Sequence, residues 1–317
     1  MTTIRLILCL AFMAGLSAGA VFSMDQPFRV TLEEVLSIGG LNDGDLFMWV
    51  DIEADAGGGV YVTDTMDYSV KYFSPEGKLL KKSGRKGQGP GEFLAPRSLE
   101  ITGDYVYVID QYRLGIHVFD KDLEFERIIP YRTPIAEFKV LSDNEIAVVP
   151  FSMEAEGTLE FIDSGGRKTG GMTYWGAGRG MLTDTVSFDV DPRGYFYLAY
   201  NFQDRIEKYD FQGNRLWSVS LLGIKKSKTK EVKDYVVPAE IIYKSLGLDR
   251  NGRLYVLGGA FSQNPSRDVY VLSAAGELMH TLTLPEDSHC IYIDRRNHLY
   301  ARADSGVTIK KYRMVFH

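Results

Sequence analysis

The sequence predicts an all-β fold, a six-bladed β-propeller, and three observations support that prediction. First, an apolar strand, a turn and a second strand with an aromatic anchor recur at spacings of 40 to 58 residues, near the period of one four-stranded blade. Second, the third strand of each repeat is followed by a turn. Third, no low-complexity linker divides the repeats, so residues 21–317 are expected to form one propeller domain. The anchors are Tyr61, Tyr107, Ala147 (the one substitution), Tyr197, Tyr255 and Tyr300.

The first twenty residues are predicted to be a secretory signal peptide. Arg5 supplies the charge, Leu6 to Leu16 the apolar core, and Ala18-Gly19-Ala20 the cleavage site. The apolar stretch is short for a bilayer span, so we expect an exported protein, periplasmic or extracellular, with no transmembrane segment after cleavage. A lipid anchor at Cys9 and an uncleaved membrane anchor are the alternatives. Signal removal leaves Cys290 as the single cysteine, so no intramolecular disulfide is expected.

The first repeat shows the expected order of elements within a blade. Alternation at Val50-Asp51-Ile52 predicts the inner strand, and Gly57-Gly58-Gly59 predicts the turn into the second strand, which begins at Val60. Ser69 to Phe73 is the predicted third strand, and the outer strand begins at Leu79 after a glycine-containing turn. The turn between the third and fourth strands recurs at Ser164-Gly165-Gly166, Gln212-Gly213-Asn214, Ala274-Ala275-Gly276 and, without glycine, Lys121-Asp122-Leu123.

The last repeat predicts how the ring closes. It ends after its third strand, near Ile309 to Phe316, and leaves no sequence for a fourth. Phe28 to Leu32 and Val35 to Ile38 have strand-like sequence ahead of the first repeat. We therefore expect the N-terminal segment to complete the sixth blade, which removes an open sheet edge.

Two segments of the chain resemble the NHL-repeat signature. One is the glycine-rich segment Gly84 to Phe93, followed by Pro96 and by Tyr107-Val108-Ile109-Asp110; the other runs from Gly194 to Asp210. Asp64 and Asp110 keep the acid that the family carries after the second strand. The resemblance implies a six-bladed propeller, usually a scaffold that binds proteins, peptides or polymers. A minority of similar propellers are enzymes, among them calcium-dependent lactonases and zinc-dependent amidating lyases.

The glycine-rich segment itself has a simpler interpretation than a phosphate cradle. No helix follows Gly84 to Gly91 to contribute N-terminal amides. We expect it to be a blade-to-blade crossover loop.

Alternation along the inner strands predicts which side chains face the central channel. Residues between apolar pairs should point to the axis, and these are Asp51, Glu100, Lys139, Asp189, Gly247 and Tyr292. The favoured interpretation is a hydrated polar channel in which Lys139 neutralises its neighbours. The alternatives are a structural and a catalytic ion: calcium prefers carboxylate and carbonyl oxygens, so calcium is the candidate cofactor, with Asp51, Glu100 and Asp189 as its ligands.

Histidine and cysteine chemistry is not expected. A catalytic zinc keeps three protein ligands, and of the five histidines only His289 is placed near the axis. Cys290 follows it directly, and adjacent residues on one strand point to opposite faces, so the two cannot form a nucleophile pair.

Loops that connect successive blades emerge on one face of a propeller, here called the crossover face. In this chain the loops leaving repeats one to four carry nine basic residues against four acids, and the other two carry four acids. Such asymmetry steers anionic or dipolar partners, although the lysine-rich stretch from Lys225 to Lys233 is alternatively a solvated loop. The candidate partner-binding residues are Arg85, Lys86, Arg132, Phe151, Trp175, Arg179, Lys226, Tyr235 and Phe261.

The sequence thus favours an exported propeller that binds a protein, peptide or glycan, an anionic partner being one candidate, on its crossover face. The alternatives are a calcium-type lactonase or esterase with its site in the channel, and a structural subunit of an envelope complex. The net charge of −6 for the full chain argues against general nucleic-acid binding. No motif in the chain fixes a reaction, and an enzyme is the less favoured reading.

Overall fold

The protein is described by a computed structural model that covers residues 28–40, 47, 50–151, 157–174, 185–224, 228–232, 235–259, 267–303 and 307–317. The signal peptide predicted for residues 1–20 lies outside these ranges. Within them the chain forms strands and turns, and no helix has the length and apolarity that crossing a membrane requires.

Six four-stranded antiparallel sheets form the blades of the propeller. Blade 1 consists of β2 (Ile52–Ala54), β3 (Val60–Asp64), β4 (Ser69–Phe73) and β5 (Leu79–Ser83). Blade 2 consists of β6 (Pro96–Thr102), β7 (Tyr105–Asp110), β8 (Ile116–Asp120) and β9 (Phe125–Ile129). Blade 3 consists of β10 (Ile135–Ser142), β11 (Glu145–Pro150), β12 (Gly157–Ile162) and β13 (Lys168–Tyr174).

The second half of the chain repeats the same order. Blade 4 consists of β14 (Val186–Val190), β15 (Phe196–Tyr200), β16 (Ile206–Tyr209) and β17 (Arg215–Val219). Blade 5 consists of β20 (Tyr243–Leu248), β21 (Leu254–Gly258), β22 (Asp268–Leu272) and β23 (Leu278–Thr283). Blade 6 consists of β24 (Ser288–Ile293), β25 (His298–Ala303), β26 (Thr308–Phe316) and β1 (Val30–Ile38).

The N-terminal strand closes the ring, as the sequence predicts. β1 pairs antiparallel with β26, in register from Val30 opposite Phe316 to Ile38 opposite Ile309, with a bulge between Glu34 and Leu36. The inner strands of the six blades contact one another in cyclic order. The sixth blade is therefore built from both ends of the chain, and the outer edge that β26 would otherwise expose is paired.

The hydrophobic core consists of six clusters, one at each interface between neighbouring blades. Each second-strand anchor packs into the cluster shared with the following blade, and every anchor is at most 2% exposed. Buried tyrosines need a partner for their hydroxyl, and in blades 5 and 6 an aspartate of the preceding turn provides it. Tyr255 donates to Asp249 over 3.3 Å and Tyr300 to Asp294 over 3.2 Å.

The turns between third and fourth strands have the conformation that their sequences require. Gly77 has a φ of +85°, a left-handed conformation that glycine adopts without steric cost. In blade 2 the equivalent residue is Leu123, with a φ of +59°, so this turn forms without glycine, as predicted. The recurring turns thus share a residue with positive φ, which is glycine in blade 1 and leucine in blade 2.

One element was not predicted from the sequence. The lysine-rich crossover between blades 4 and 5 was expected to be a loop, but it contains a two-stranded hairpin of β18 (Thr229–Val232) and β19 (Tyr235–Pro238). Lys228 at its base accepts the N–H of Ala239 on its carbonyl and forms an ion pair with Glu240 at 2.8 Å.

Candidate functional site

The inner strands surround a central cavity of about 1580 Å³ that extends along the propeller axis. At the crossover face its lining includes Met66, Tyr112 and Phe151, and at the opposite end it includes Arg250 and Arg296 from turns between first and second strands. Both candidate sites named from the sequence, the channel carboxylates and the crossover face, therefore adjoin one cavity.

Strand register corrects one position of the predicted channel ring. The residues opposite the second-strand anchors are Glu53, Glu100, Lys139, Asp189, Gly247 and Tyr292. The sequence predicts Asp51 in this ring if Val50 and Ile52 form the apolar pair of the inner strand. The apolar pair that matches the other blades is Ile52 and Ala54. Because alanine is small, the apolar alternation is hard to recognise here from the sequence. Asp51 lies one layer nearer the crossover face, and Glu53 was missed.

A mixed cluster of charges lies in the channel between blades 1, 2 and 3. The ammonium group of Lys139 forms an ion pair with the Glu100 carboxylate, and lies 3.9 Å from Oε1 of Glu53. Glu137, on the same strand as Lys139, lines the channel as well. The structure thus brings Glu100 next to Lys139.

Burial controls the protonation of this cluster. It raises the pKa of Glu137 to about 8 and that of Glu100 to about 7, with Lys139 opposing both shifts. Burial and the neighbouring Glu100 carboxylate raise the pKa of Glu53 well above its usual range. Burial alone disfavours a charged lysine, but the surrounding carboxylates outweigh it and raise the pKa of Lys139. Bound protons therefore remove part of the negative charge near neutral pH.

The other channel carboxylates bind the backbone of a neighbouring blade. Asp51 accepts the N–H of Leu99 on Oδ2 at 3.0 Å, and Asp189 accepts that of Leu248 at 2.9 Å. Glu53 accepts the N–H of Ile101 at 2.7 Å. The inner strand of each blade has a free edge toward the channel, and buried N–H groups there require acceptors. These carboxylates therefore join adjacent blades.

Other side chains continue this linkage around the axis. Ser245 both donates to the carbonyl and accepts the N–H of Ile291 at 3.1 Å. Tyr292 donates to the carbonyl of Ala54 at 3.4 Å, which connects blade 6 to blade 1. We call these side-chain-to-backbone bonds between inner strands the blade clasps.

No group of three or more His, Cys, Asp or Glu side chains among the described residues is arranged to hold a metal ion. The ligand set of Asp51, Glu100 and Asp189 stays a prediction, which metal analysis of the purified mature protein tests. Burial raises the pKa of the Cys290 thiol to about 12, which disfavours the thiolate that a nucleophilic cysteine requires.

The crossover face carries exposed apolar side chains around the channel mouth. Met66, Tyr112 and Phe151 come from blades 1, 2 and 3, are 57%, 70% and 44% exposed, and line the cavity. We call these three residues the mouth collar. Leu114 is exposed in the same turn as Tyr112. Of the collar, sequence reasoning identified only Phe151.

Two acids fix the turns that present this collar. Oδ1 of Asp64 accepts the N–H of Met66 at 3.1 Å, and Oδ1 of Asp110 accepts that of Tyr112 at 2.9 Å. Oδ2 of Asp110 also accepts the N–H groups of Leu94 and Ala95, at 2.5 and 3.0 Å. These are the acids that the sequence shares with the NHL pattern, and their structural role is to hold turns. An acid at the end of a second strand, followed two residues later by a large apolar residue, is the signal that would have located Met66 and Tyr112.

The glycine-rich segment lies between β5 and β6, so it is a crossover, as predicted. Arg113 of the neighbouring turn donates to the carbonyls of Gly89 and Glu92, at 3.0 and 2.7 Å. Arg85 pairs with Glu92 at 2.8 Å, and the ammonium of Lys86 lies 5.3 Å from the ring centre of Tyr68. The segment is thus anchored to the turn that carries Tyr112.

The described part of the predicted rim lies on the crossover face. Arg85, Lys86, Arg132 and Phe151 are all exposed there. Tyr235 begins β19, with its side chain outside the described residues. Trp175, Arg179, Lys226 and Phe261 lie outside them entirely, so their contribution to a partner-binding surface remains a prediction.

Comparisons with known proteins agree with the fold. The family model DUF5128, a 6-bladed beta-propeller, matches residues 51–146. No curated protein matches the chain. A member of the DUF4221 family from Bacteroides vulgatus is 12% identical, with 92% of this chain and 99% of that chain covered and a TM-score of 0.61.

Two further solved structures are similar at comparable levels. Virginiamycin B lyase from Staphylococcus aureus is 12% identical, with 90% of this chain and 89% of that chain covered and a TM-score of 0.54. BBS1N in complex with ARL6DN is 14% identical, with 85% and 79% covered and a TM-score of 0.51. At these identities the similarities show the propeller fold.

Proposed function

We propose that the protein is an exported propeller scaffold that binds a protein, peptide or glycan partner on its crossover face. The observation that carries this proposal is the mouth collar. Three large apolar side chains from three successive blades stand exposed around one cavity mouth. Clustered exposed apolar residues at the edge of a cavity are typical of binding sites in soluble proteins.

The rigidity of the collar supports the same proposal. Besides the bonds to Asp64 and Asp110, Thr65 donates to the carbonyl of Pro96 at 2.6 Å, and the N–H of Gln111 donates to the carbonyl of Ala95 at 2.9 Å. The turns of blades 1 and 2 are therefore held against the same crossover segment. A preorganised surface loses less conformational entropy when a partner binds.

Two finer parts of the proposal rest on the sequence. Export rests on the signal-peptide pattern of residues 1–20. Membership of the NHL-repeat group rests on the glycine-rich segment and on Asp64 and Asp110. The BBS1N propeller, seen in a complex with ARL6DN, illustrates that this fold can serve as a scaffold for a protein partner.

Affinity capture with matched variants tests the proposal. The mature protein and the double variant Tyr112→Ser/Phe151→Ser are immobilised and exposed to envelope and extracellular material of the host. We expect bound proteins or glycans that the double variant captures at least about tenfold less, since aromatic side chains dominate interface energies. Leu80→Ser, on the outer strand of blade 1, is the control and should capture as the unaltered protein does. Equal capture by all three proteins would contradict the proposal.

A further inference from the structure

We infer that the partner of the crossover face is an extended peptide segment in which a large apolar side chain is flanked by acidic residues. This inference rests on the proposed function and names the chemistry of its partner. It is carried by the combination of the mouth collar with the exposed charges of blades 1 to 3.

Among the described residues, the exposed charges around the collar are predominantly positive. Arg85, Lys86, Arg97 and Arg132 are exposed on this part of the crossover face. Within the part of the chain that the structure describes, neither Lys86 nor Arg132 forms an ion pair with a carboxylate, whereas Arg97 lies close enough to the channel carboxylates Asp51 and Glu137 to oppose the rise in their pKa. Two cations next to an apolar surface thus lack an ionic counterpart.

Two acids that the structure describes on the same part of the face are already engaged. Asp67 forms ion pairs with Lys71 at 3.1 Å and with Lys82 at 2.7 Å. Glu92 pairs with Arg85 and accepts the N–H of Gly89 at 2.7 Å. A partner that approaches blades 1 to 3 therefore meets unpaired positive charge, and charge complementarity at an interface favours the opposite sign.

The positions of the cations relative to the collar suggest how a peptide would lie. Arg97 lines the cavity mouth together with Met66, Tyr112 and Phe151. Lys86 belongs to the crossover between blades 1 and 2, and Arg132 to the crossover between blades 2 and 3. If the apolar side chain of the peptide lies at the mouth, the acidic residues on either side of it lie near these cations. Methionine and leucine beside the aromatic residues favour an apolar peptide side chain over a sugar ring.

The acidic channel beneath the mouth suggests a different partner, a peptide with a basic side chain that enters the channel. Asp51 and Glu137 lie behind Arg97, so a basic side chain that passed the mouth would meet carboxylates. Burial raises the pKa of Glu137 to about 8, which weakens its attraction for a cation near neutral pH. The exposed arginines and lysine are also the first charges that a partner encounters.

Three synthetic peptides of equal length test this inference. All carry the same central Trp and Leu, flanked by Glu in the first, by Lys in the second and by Ser in the third. Fluorescence anisotropy with the mature protein measures their dissociation constants at low and at high ionic strength. We expect the Glu-flanked peptide to bind at least about tenfold more tightly than the Ser-flanked one, with an advantage that shrinks at high salt.

Charge-reversed variants locate the effect. Lys86→Glu/Arg132→Glu should abolish the preference for the Glu-flanked peptide or reverse it. Arg295→Glu is the matched control, because Arg295 is an exposed arginine at the opposite end of the channel, and it should leave the preference unchanged.

Any of three results would overturn the inference: equal binding of the Glu- and Ser-flanked peptides, tighter binding of the Lys-flanked peptide, or no binding of any peptide. None of these depends on the capture experiment with Tyr112→Ser/Phe151→Ser. A collar-dependent partner found there, together with a negative peptide result, would leave the scaffold function standing and remove only the acidic peptide.

Discussion

At the scale of single residues, Asp64 and Asp110 connect the sequence most directly to the candidate site. Each lies at the end of a second strand, is almost fully buried, and accepts backbone N–H groups of the turn that follows. Acids at such positions stabilise turns because a carboxylate satisfies several donors at once. These hydrogen bonds fix the backbone at Met66 and Tyr112, and the two side chains are thereby held in exposed positions.

Asp110→Asn is expected to destabilise the protein. Asparagine has one acceptor oxygen and a donor in place of the second, so N–H groups that the carboxylate satisfied would lose their partner. We expect the free energy of unfolding to fall by about 1–3 kcal/mol, measured by denaturant titration. Asp104→Asn, at an exposed position, is the control and should stay within about 0.5 kcal/mol of the unaltered protein. Equal stability of the two variants would show that Asp110 does not hold the turn.

Asp51 and Glu53 show how far side-chain positions follow from sequence alone. Alternation correctly predicted that Asp51 lines the channel, and it missed Glu53. It did not decide which of them stands opposite Tyr61, since Val50, Ile52 and Ala54 allow two alignments. Register is set by backbone pairing across the blade, which one blade's sequence does not specify.

At the scale of elements, the inner strands of the blades depend on one another. Their channel-facing edges are not paired with a further strand, and the blade clasps supply acceptors and donors instead. Asp51, Glu53 and Asp189 perform this role in the described structure. Two of the three predicted calcium ligands, Asp51 and Asp189, thus also have a structural function.

Glu137 on β10 makes a pH-dependent contribution to stability that can be measured. Burial raises its pKa from 4.5 to about 8, helped by Asp51 and Glu100 and opposed by Lys139 and Arg97. The folded protein therefore holds a proton that the unfolded chain releases between these values, and stability falls as the pH rises from 4.5 to about 8. Below this pH range the contribution of Glu137 to the free energy of unfolding is constant. Above it, the folded protein carries the full cost of the buried Glu137 carboxylate.

Glu137→Gln should remove this penalty, because glutamine resembles the protonated acid. We expect the variant and the unaltered protein to be equally stable near pH 4.5, and the variant to become the more stable as the pH approaches 8. Denaturant titrations over this range measure the difference. Glu126→Gln, at an exposed position of the outer strand β9, is the control variant. A difference independent of pH would contradict the assignment.

Element boundaries were largely predictable, and the exception has a physical reason. Each blade shows apolar alternation, an anchor in its second strand and recognisable turns. These three features together locate its strands. In the hairpin of β18 and β19, Thr229, Lys230 and Glu231 are exposed, so this part of the sequence lacks the apolar alternation by which the blade strands were predicted.

At the scale of the whole molecule, closure of the ring fixes the two faces. β1 joins the end of the chain to its beginning, and every interface between blades contains an apolar cluster. The blades therefore hold their turns in constant relative positions, and residues far apart in sequence, such as Met66 and Phe151, meet around one cavity. A site of this kind is visible only after the ring is assembled, although each contributing turn is local.

Site-specific photo-crosslinking in the living host tests the central claim most directly. A photoreactive phenylalanine is introduced in turn at Met66, Tyr112 and Phe151, and at the exposed outer-strand residues Leu80 and Leu278 as controls. Our account predicts that irradiation links the three collar positions to a common partner and that the controls give no such adduct. Adducts with the same partner from Leu80 or Leu278, and none from the collar, would contradict the assignment of the crossover face as the binding surface.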